Sequence, residues 1–323
     1  MRLRLLAIAS VTAVVTVMTA LGKSKGRDRS VRSLPLLCIE NEIKSVLATD
    51  RVRICGIMHK GHINTHILFI ADDQKYLYRT SWGADYFDIE TDYSAEATAN
   101  RFAAYQKIDG TFIYLNKKTG SKISYYLDDS HVLDEHDQKQ LSDCVSILKK
   151  FHNASFETFP ITQELDFERL LNKYHELIKQ YAPLHCEYYE DFFAITKKIF
   201  QSIKHQIVYS GCHFDCHQGN FLFDSSGKIH LIDYEHCKRF DYRFDLASLS
   251  INCYFDKKST ESMWDEYYER SLVPSEKVFL WKMCVLCAFY NIQWAIYAEK
   301  NNIDAAPYIR TNAKIIGRYL ADH

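Results

Sequence analysis

The chain carries almost no excess charge: 40 Lys and Arg stand against 41 Asp and Glu, a net charge of −1 over 323 residues. A net charge this near zero gives no sign of a nucleic-acid partner, and none is expected. Glycine (11) and proline (5) are scarce, and no internal repeat or low-complexity run appears. The ten cysteines are dispersed, unlike the dense framework of a small disulfide-held domain, and read as reduced thiols. Cys212 to Cys216 followed by His217 gives C-x-x-x-C-H, one residue too long for haem attachment. C-x-x-C does not occur twice, as a zinc site of that type needs.

What the chain does have is apolar mass. At 47% hydrophobic and 14% aromatic, it can fill two sizeable cores. Leu5 to Gly22 is uncharged and barely long enough to cross a bilayer, with Arg2 and Arg4 before it and Lys23, Lys25, Arg27, Arg29 and Arg32 after it. Three readings stay open. The first is a retained anchor, giving membrane association through residues 5–22 and leaving the rest of the chain on the cytoplasmic side by its heavier positive flank. The second is a signal peptide cut after the small-x-small run Ala20-Leu21-Gly22. The third is a misassigned start. In each case residues 1–35 stand apart, with residues 23–35 a basic, mobile linker. No oligomeric state follows from the sequence.

Beyond residue 35 the pattern divides at about residue 127. Ile39 to Thr49 predicts a short helix, and Arg51–Cys55, His62–Ala71 and Lys75–Thr80 predict strands, with a turn over Gly56–Gly61. Ser94 to Gln106 predicts a helix packed on that sheet, and Thr111–Leu115 and Lys122–Leu127 complete five strands. From residue 128 to 323 the spacing is helical, with apolar residues three and four apart over Asp137–Phe151, Glu164–Tyr181, Tyr188–His205, Asp245–Phe255, Ser259–Arg270, Glu276–Ala298 and Asp304–Ala321. The expectation is an α+β chain: a sheet-rich unit over 36–127, then a mainly helical one.

The most informative stretch interrupts those helices. His213 to Asn220 reads H-F-D-C-H-Q-G-N, and Asp233 follows a predicted hairpin, Phe221–Asp224 and Lys228–Ile232 around Ser225-Ser226-Gly227. Phosphoryl transfer asks little covalent help of a protein; it needs an oriented nucleophile and a cation held against the phosphate oxygens. Asp215 can accept the proton of a hydroxyl, Asn220 can offer an amide oxygen to a hard cation, and Asp233 can be the second ligand.

These residues, with Leu231-Ile232-Asp233-Tyr234-Glu235 and Asp245-Leu246-Ala247, resemble the bacterial choline kinases of the aminoglycoside phosphotransferase-like superfamily. The resemblance covers about residues 50 to 300 and implies a protein kinase-like bilobal fold, with an antiparallel sheet and one helix in the small lobe. It also implies ATP and Mg2+ as cofactors, His213, Asp215 and Asn220 in the catalytic loop, and Asn220 and Asp233 on the metal. Gly120 to Asp128 resembles the hinge that meets adenine, which brings in Ser124, Tyr126 and Leu127. Tyr76 to Arg79 resembles the strand carrying the phosphate-contacting Lys or Arg, with Glu96 as the helix partner of Arg79. Met58-His59-Lys60-Gly61 departs from the family, which tends to carry Ser or Thr followed by Asn there; Lys60 can supply charge in place of those hydrogen bonds.

For the acceptor, the resemblance implies a small alcohol, choline first and ethanolamine second. Such cations are held by aromatic faces and nearby acids. Tyr290, Trp294 and Tyr297 share one helix face, Trp294 stands where the family has the second of two Trp, and Asn291 replaces the first. Glu235 and Asp241 are the candidate acids, and Asp245 is expected to brace the loop. The stripe also fits ordinary core packing. Two further readings stay open: a kinase for an aminoglycoside, thiamine or a sugar-like alcohol, and a degenerate kinase that binds nucleotide and catalyses nothing.

Overall fold

The computed structural model describes residues 29–60, 64–80, 92–301 and 303–322. Residues 5–22, the expected anchor, lie outside them. The rest sort into two compact units: the described residues up to 80 with Ile113–Tyr126, and the described residues of 85–112 with those from Leu127 onward.

The smaller unit is a five-stranded sheet of order β1-β2-β3-β5-β4. Its strands are β1 (Val52–Lys60), β2 (Thr65–Ala71), β3 (Gln74–Thr80), β4 (Phe112–Leu115) and β5 (Lys122–Tyr125), and helix α1 (Arg29–Leu47) precedes them. In β2 the alternation of T-H-I-L-F-I-A buries Ile67, Phe69 and Ala71 on one face. Ile39 and Ile43, one helical turn apart on α1, join them with Tyr78 and Ile123 in a single cluster. A buried side chain of this kind contributes about 1.5–3 kcal/mol, so these contacts fix α1 to the sheet.

Two details differ from the sequence reading. The helix begins at Arg29, so part of the stretch read as linker is helical. And Gly56 is no turn: β1 runs on to Lys60, paired with Thr65, with register shifts between Ile54 and Gly56 and between Ile57 and His59. At φ 153°, Gly56 takes up the first irregularity, a bulge that bends a strand without ending it. Residues 61–63 and the side chain of Lys60 lie outside the described residues.

The larger unit contains α2 (Tyr93–Tyr105), α3 (Gln138–Thr158), α4 (Phe167–Ile178), α5 (Ala182–His185), α6 (Tyr189–Ile203), α7 (Arg243–Asn252), α8 (Lys257–Tyr268), α9 (Pro274–Lys300) and α10 (Ala306–Asp322). Asp92 caps α2 by accepting from the Ser94 and Ala95 amides, and Asp137 caps α3 the same way from Lys139 and Gln140. The buried face of α2, Ala99, Phe102 and Ala103, belongs to the core of the larger unit, where Phe102 meets Phe151 and Phe159 edge-on. Helix α9 is apolar all round because it is the central element: 83% of its most hydrophobic stretch is buried, which is how a long apolar helix behaves in a protein core.

Two small β elements frame the loop of interest. β7 (Tyr209–Cys212) pairs antiparallel with β10 (Lys238–Asp241), and β6 (His131–Val132), β8 (Phe221–Phe223) and β9 (Ile229–Leu231) form a three-stranded sheet of order β6-β8-β9.

One polar hub in the smaller unit gives a direct test. Glu42 of α1 accepts from the Tyr78 hydroxyl (2.5 Å), the Asn116 amide (3.0 Å) and the Ser121 hydroxyl (2.7 Å). Glu42→Ala strands three part-buried donors and should cost about 1–3 kcal/mol in urea unfolding. An unchanged transition would mean that the hub contributes nothing.

Candidate active site

The loop leaves β7 at Cys212 and is received by one buried carboxylate. Asp245, in the first turn of α7, is fully buried. It accepts from the His213 amide (2.7 Å), the Phe214 amide (2.8 Å), the Cys212 thiol (3.1 Å) and His152 Nε2 (3.0 Å). Burial pushes its carboxyl up, but the His152 hydrogen bond and the neighbouring imidazoles outweigh that and hold it below the ordinary range. In a neutral His152 ring that donates from Nε2, Nδ1 is left to accept from the Tyr267 hydroxyl at 2.8 Å. His213 is buried as well and donates Nε2–H to the Ile232 carbonyl at 2.8 Å. Burial lowers its pKa, so it is a neutral strut at physiological pH.

Phe214 reverses the chain. Its φ is +71°, a conformation that costs a non-glycine residue about 1–3 kcal/mol and needs compensation. The amide bond to Asp245 supplies part of it. The ring supplies the rest, stacking on Phe244 at 4.2 Å and meeting Tyr290 edge-on at 5.1 Å. With Phe214 turned into the core, Asp215 is left partly exposed. Asn220 Nδ2 bonds the Asp215 carbonyl (2.8 Å) and its Oδ2 (3.0 Å), and His217 Nε2 lies 3.6 Å from the same oxygen. His217 Nδ1 accepts from the Gly219 amide at 3.0 Å. A Cβ at Gly219 would sit 2.7 Å from that ring, so any other residue there would push the imidazole out of this position.

The hairpin brings Asp233 back. Phe221 pairs with Leu231, and the Ile232 amide donates to the Asn220 carbonyl at 2.9 Å. Asn220 and Asp233 therefore flank the open end of one hairpin, and Asp233 leaves it in the left-handed conformation at φ 68°. Since Asn220 commits its amide nitrogen to Asp215, Oδ1 is the donor atom it has to offer. An amide oxygen and a carboxylate are hard ligands that fit magnesium, which takes one or two such groups and completes its shell with phosphate oxygens and water. Among the described residues no three His, Cys, Asp or Glu side chains gather into a metal site of their own. All ten cysteines are free thiols, and burial pushes the Cys212 and Cys216 thiols well up.

The proposed acceptor residues divide. Asp241 is fully buried: it receives Arg243 Nε (2.7 Å) and Nη2 (2.5 Å) and the amides of Val208 (2.9 Å) and Arg243 (2.9 Å). It ties β10 to α7 and has nothing left for an acceptor, which corrects its assignment. Tyr290, 5% exposed, is also corrected: its ring lies in the core against Phe214, Phe244 and Tyr174. Tyr297 packs edge-on against Tyr174. Trp294 is half-buried and meets Tyr308 edge-on at 6.4 Å. Glu235 is partly exposed, 3.6 Å from His236. Asn291, in place of a first Trp, turns into the α9–α10 contact and donates to Asn312 Oδ1 at 3.1 Å.

Asn252 and Tyr308 escaped the sequence reading. Asn252 Nδ2 donates to the Cys216 carbonyl (3.1 Å), and its own carbonyl receives Gln218 Nε2 (2.7 Å). The Tyr308 hydroxyl donates to Asn252 Oδ1 at 2.9 Å. Burial first, then Cys287 and Asp215, raise the Tyr308 pKa. The only sequence signal was the offset of Asn252 from Asp245, two turns along α7.

The nucleotide candidates fall on both units. Arg79, buried in β3, donates Nη2 to the Gly120 carbonyl at 3.0 Å, and Ser124 pairs with Leu77. The Tyr126 amide bonds the Lys75 carbonyl at 3.1 Å, and the Leu127 carbonyl receives Ser130 Oγ at 2.9 Å. Glu96 is buried in the first turn of α2, in the larger unit.

Residues 120–274 match the family described as phosphotransferase enzyme family. No curated protein matches the chain. Among solved structures it is similar to the choline kinase of Streptococcus pneumoniae (18% identity, TM-score 0.72, covering 87% of this chain and 98% of that one), which has also been solved in complex with AMP. It is similar to the ethanolamine kinase of Plasmodium vivax (16%, TM-score 0.66, covering 90% and 95%). A spectinomycin phosphotransferase in complex with ADP and spectinomycin is further off (12%, TM-score 0.57, covering 87% and 97%). Together these make residues 120–274 a phosphotransferase-family region on a choline kinase-like fold.

The brace makes a prediction with a sign. Asp245→Asn should cost about 2–4 kcal/mol in urea unfolding at pH 7, since it puts an amide among donors. A carboxyl held low in the folded state stabilises above its unfolded value of about 3.9 and stops doing so as pH falls through the folded value. The gap between wild type and variant should therefore be constant from pH 7 to 5 and shrink below about pH 4. A gap that widens toward low pH would contradict an ionised Asp245.

Proposed function

We propose that this phosphotransferase moves the γ-phosphoryl group of ATP to the hydroxyl of a small cationic alcohol, choline first and ethanolamine second. The observation that carries the transfer is Asp215 bonded to Asn220 on a loop whose hairpin returns Asp233 beside it. Asp215 takes the proton of the acceptor hydroxyl as that oxygen bonds to phosphorus and the bond to the departing ADP oxygen breaks; the proton then passes to solvent. Asn220 Oδ1 and Asp233 would hold magnesium, which when bound neutralises charge on the phosphate oxygens. Asp245 and His213 keep the loop in this shape without touching the reacting atoms.

For the nucleotide, the proposal gives Arg79 and Lys60 to the phosphates, Glu96 to orienting Arg79, and the main chain at Ser124, Tyr126 and Leu127 to adenine. For the acceptor it gives Trp294 the cationic end, with Tyr308 at its edge, Tyr297 further along the helix and Glu235 as the acid. The withdrawal of Asp241 and Tyr290 from that role, and Asn291 in place of a first Trp, favour a second reading of the same chemistry: a less methylated amine or another alcohol, such as an aminoglycoside, thiamine or a sugar-like alcohol. A degenerate kinase finds less support, because Asp215, Asn220 and Asp233 are all present. Residues 5–22 are proposed as an anchor that leaves this domain facing the cytoplasm.

An ADP-release screen over choline, ethanolamine, thiamine and aminoglycosides tests the acceptor class; choline or ethanolamine should give the highest kcat/KM, and an aminoglycoside in first place would move the assignment. Asp215→Asn should lower turnover by roughly 10²–10⁴ while leaving ATP binding largely intact, because the base acts on the acceptor. Equal turnover in this variant would take the base away from Asp215. A desolvated cation–π contact contributes about 2 kcal/mol, so Trp294→Leu should weaken acceptor binding by up to about thirtyfold. A drop in melting temperature with acceptor affinity unchanged would make Trp294 a packing residue.

A further inference from the structure

A second cavity, of about 550 Å3, opens between the C-terminal end of α7, the start of α8, α9 and the last turns of α10. Its volume suits a small molecule. Its wall is apolar and aromatic, with Ile251, Phe255, Trp281 and Tyr319, and Trp281 is backed edge-on by Trp264 at 5.2 Å.

The charges along the lining are of one sign. Lys257, Lys314 and Arg318 line the cavity and are exposed, and none of the lining residues is an acid. Lys314 and Arg318 stand four apart on α10, so they rise from one face, where like charges weaken a helix unless an anion lies between them. Among the residues whose side chains are described, neither has a carboxylate within salt-bridge reach. The acid next to the wall, Glu261, is already engaged: it holds Lys277 at 2.7 Å and receives the Trp281 ring N–H at 3.4 Å.

We infer that this cavity binds a small amphiphilic anion, its acyl or aromatic body against Phe255, Trp281 and Tyr319 and its phosphate or carboxylate between Lys314 and Arg318. None of these residues belongs to the catalytic loop, and the inference does not depend on which alcohol is phosphorylated. The chemistry of the head group is shared by free organic anions and by anionic lipids, but a concave cleft of this volume takes a monomer and not a bilayer surface.

Calorimetric titration of the full chain in excess ADP, so that the nucleotide site does not contribute, tests it with octyl phosphate and octylamine as probes of equal chain length and opposite charge. Octyl phosphate should bind with one site per chain and octylamine should not. The double variant Lys314→Gln/Arg318→Gln should weaken octyl phosphate at least about tenfold with its ADP-releasing turnover unchanged. Should the double variant fail to fold, Arg318→Gln alone, in an exposed last turn, should still weaken binding about threefold or more. Equal affinity for the two probes, or unweakened binding in the variants, would overturn the inference. So would binding to anionic vesicles without binding of monomeric octyl phosphate.

Discussion

The carboxylate of Asp245 is the constraint on which the catalytic loop depends. An isolated charge with no exposed surface would be prohibitively expensive, and it would neutralise itself by taking a proton. Two main-chain amides, a thiol and an imidazole converge on it instead, and the amides are those of the two residues just before Asp215. The donors come from β7, the loop and α3, while α8 adds Tyr267 behind His152. The folding of the large unit and the shape of the loop are therefore one event. The amides of an irregular buried segment need acceptors, and Asp245 serves two of them while its own charge is offset by further donors.

With Asp245 in place, two backbone reversals convert sequence spacing into a site. At Phe214 the chain turns its aromatic ring inward and Asp215 outward; at Asp233 it turns again at the end of a hairpin whose register is set by Phe221 and Leu231. Both reversals are conformations that non-glycine residues resist, and both lie beside groups with chemical work to do, as strained residues often do. On the far side, Asn252 holds the Cys216 carbonyl and is held by Tyr308, so α10 reaches the loop through two hydrogen bonds.

The parts legible in the sequence were those written locally. The loop motif, the Ser225-Ser226-Gly227 turn and the helices of the large unit could be read from spacing and residue type, because each depends on neighbours close in the chain; the bracing role of Asp245, whose partners lie 31 to 93 residues away, was legible through the family resemblance. The errors share a cause in contacts far apart in sequence. Asp241 looked like a loop acid until Arg243 and the Val208 amide enclosed it, and Val208 lies 33 residues earlier. Tyr290 and Trp294 share a helical face, yet one is in the core and the other half-buried, which helical periodicity cannot separate. Gly56 fitted a turn equally well until β2 paired across it. Asn252 and Tyr308 carried no motif at all and are joined only by the fold.

The central claim is that one loop directs a phosphoryl group onto a small alcohol. Phosphorus-31 NMR of the purified chain with ATP, magnesium and choline or ethanolamine follows that group directly. The account predicts a new phosphomonoester resonance that grows in step with ADP and stays absent without acceptor. ADP accompanied only by inorganic phosphate, or no loss of ATP with any small alcohol supplied, would contradict it.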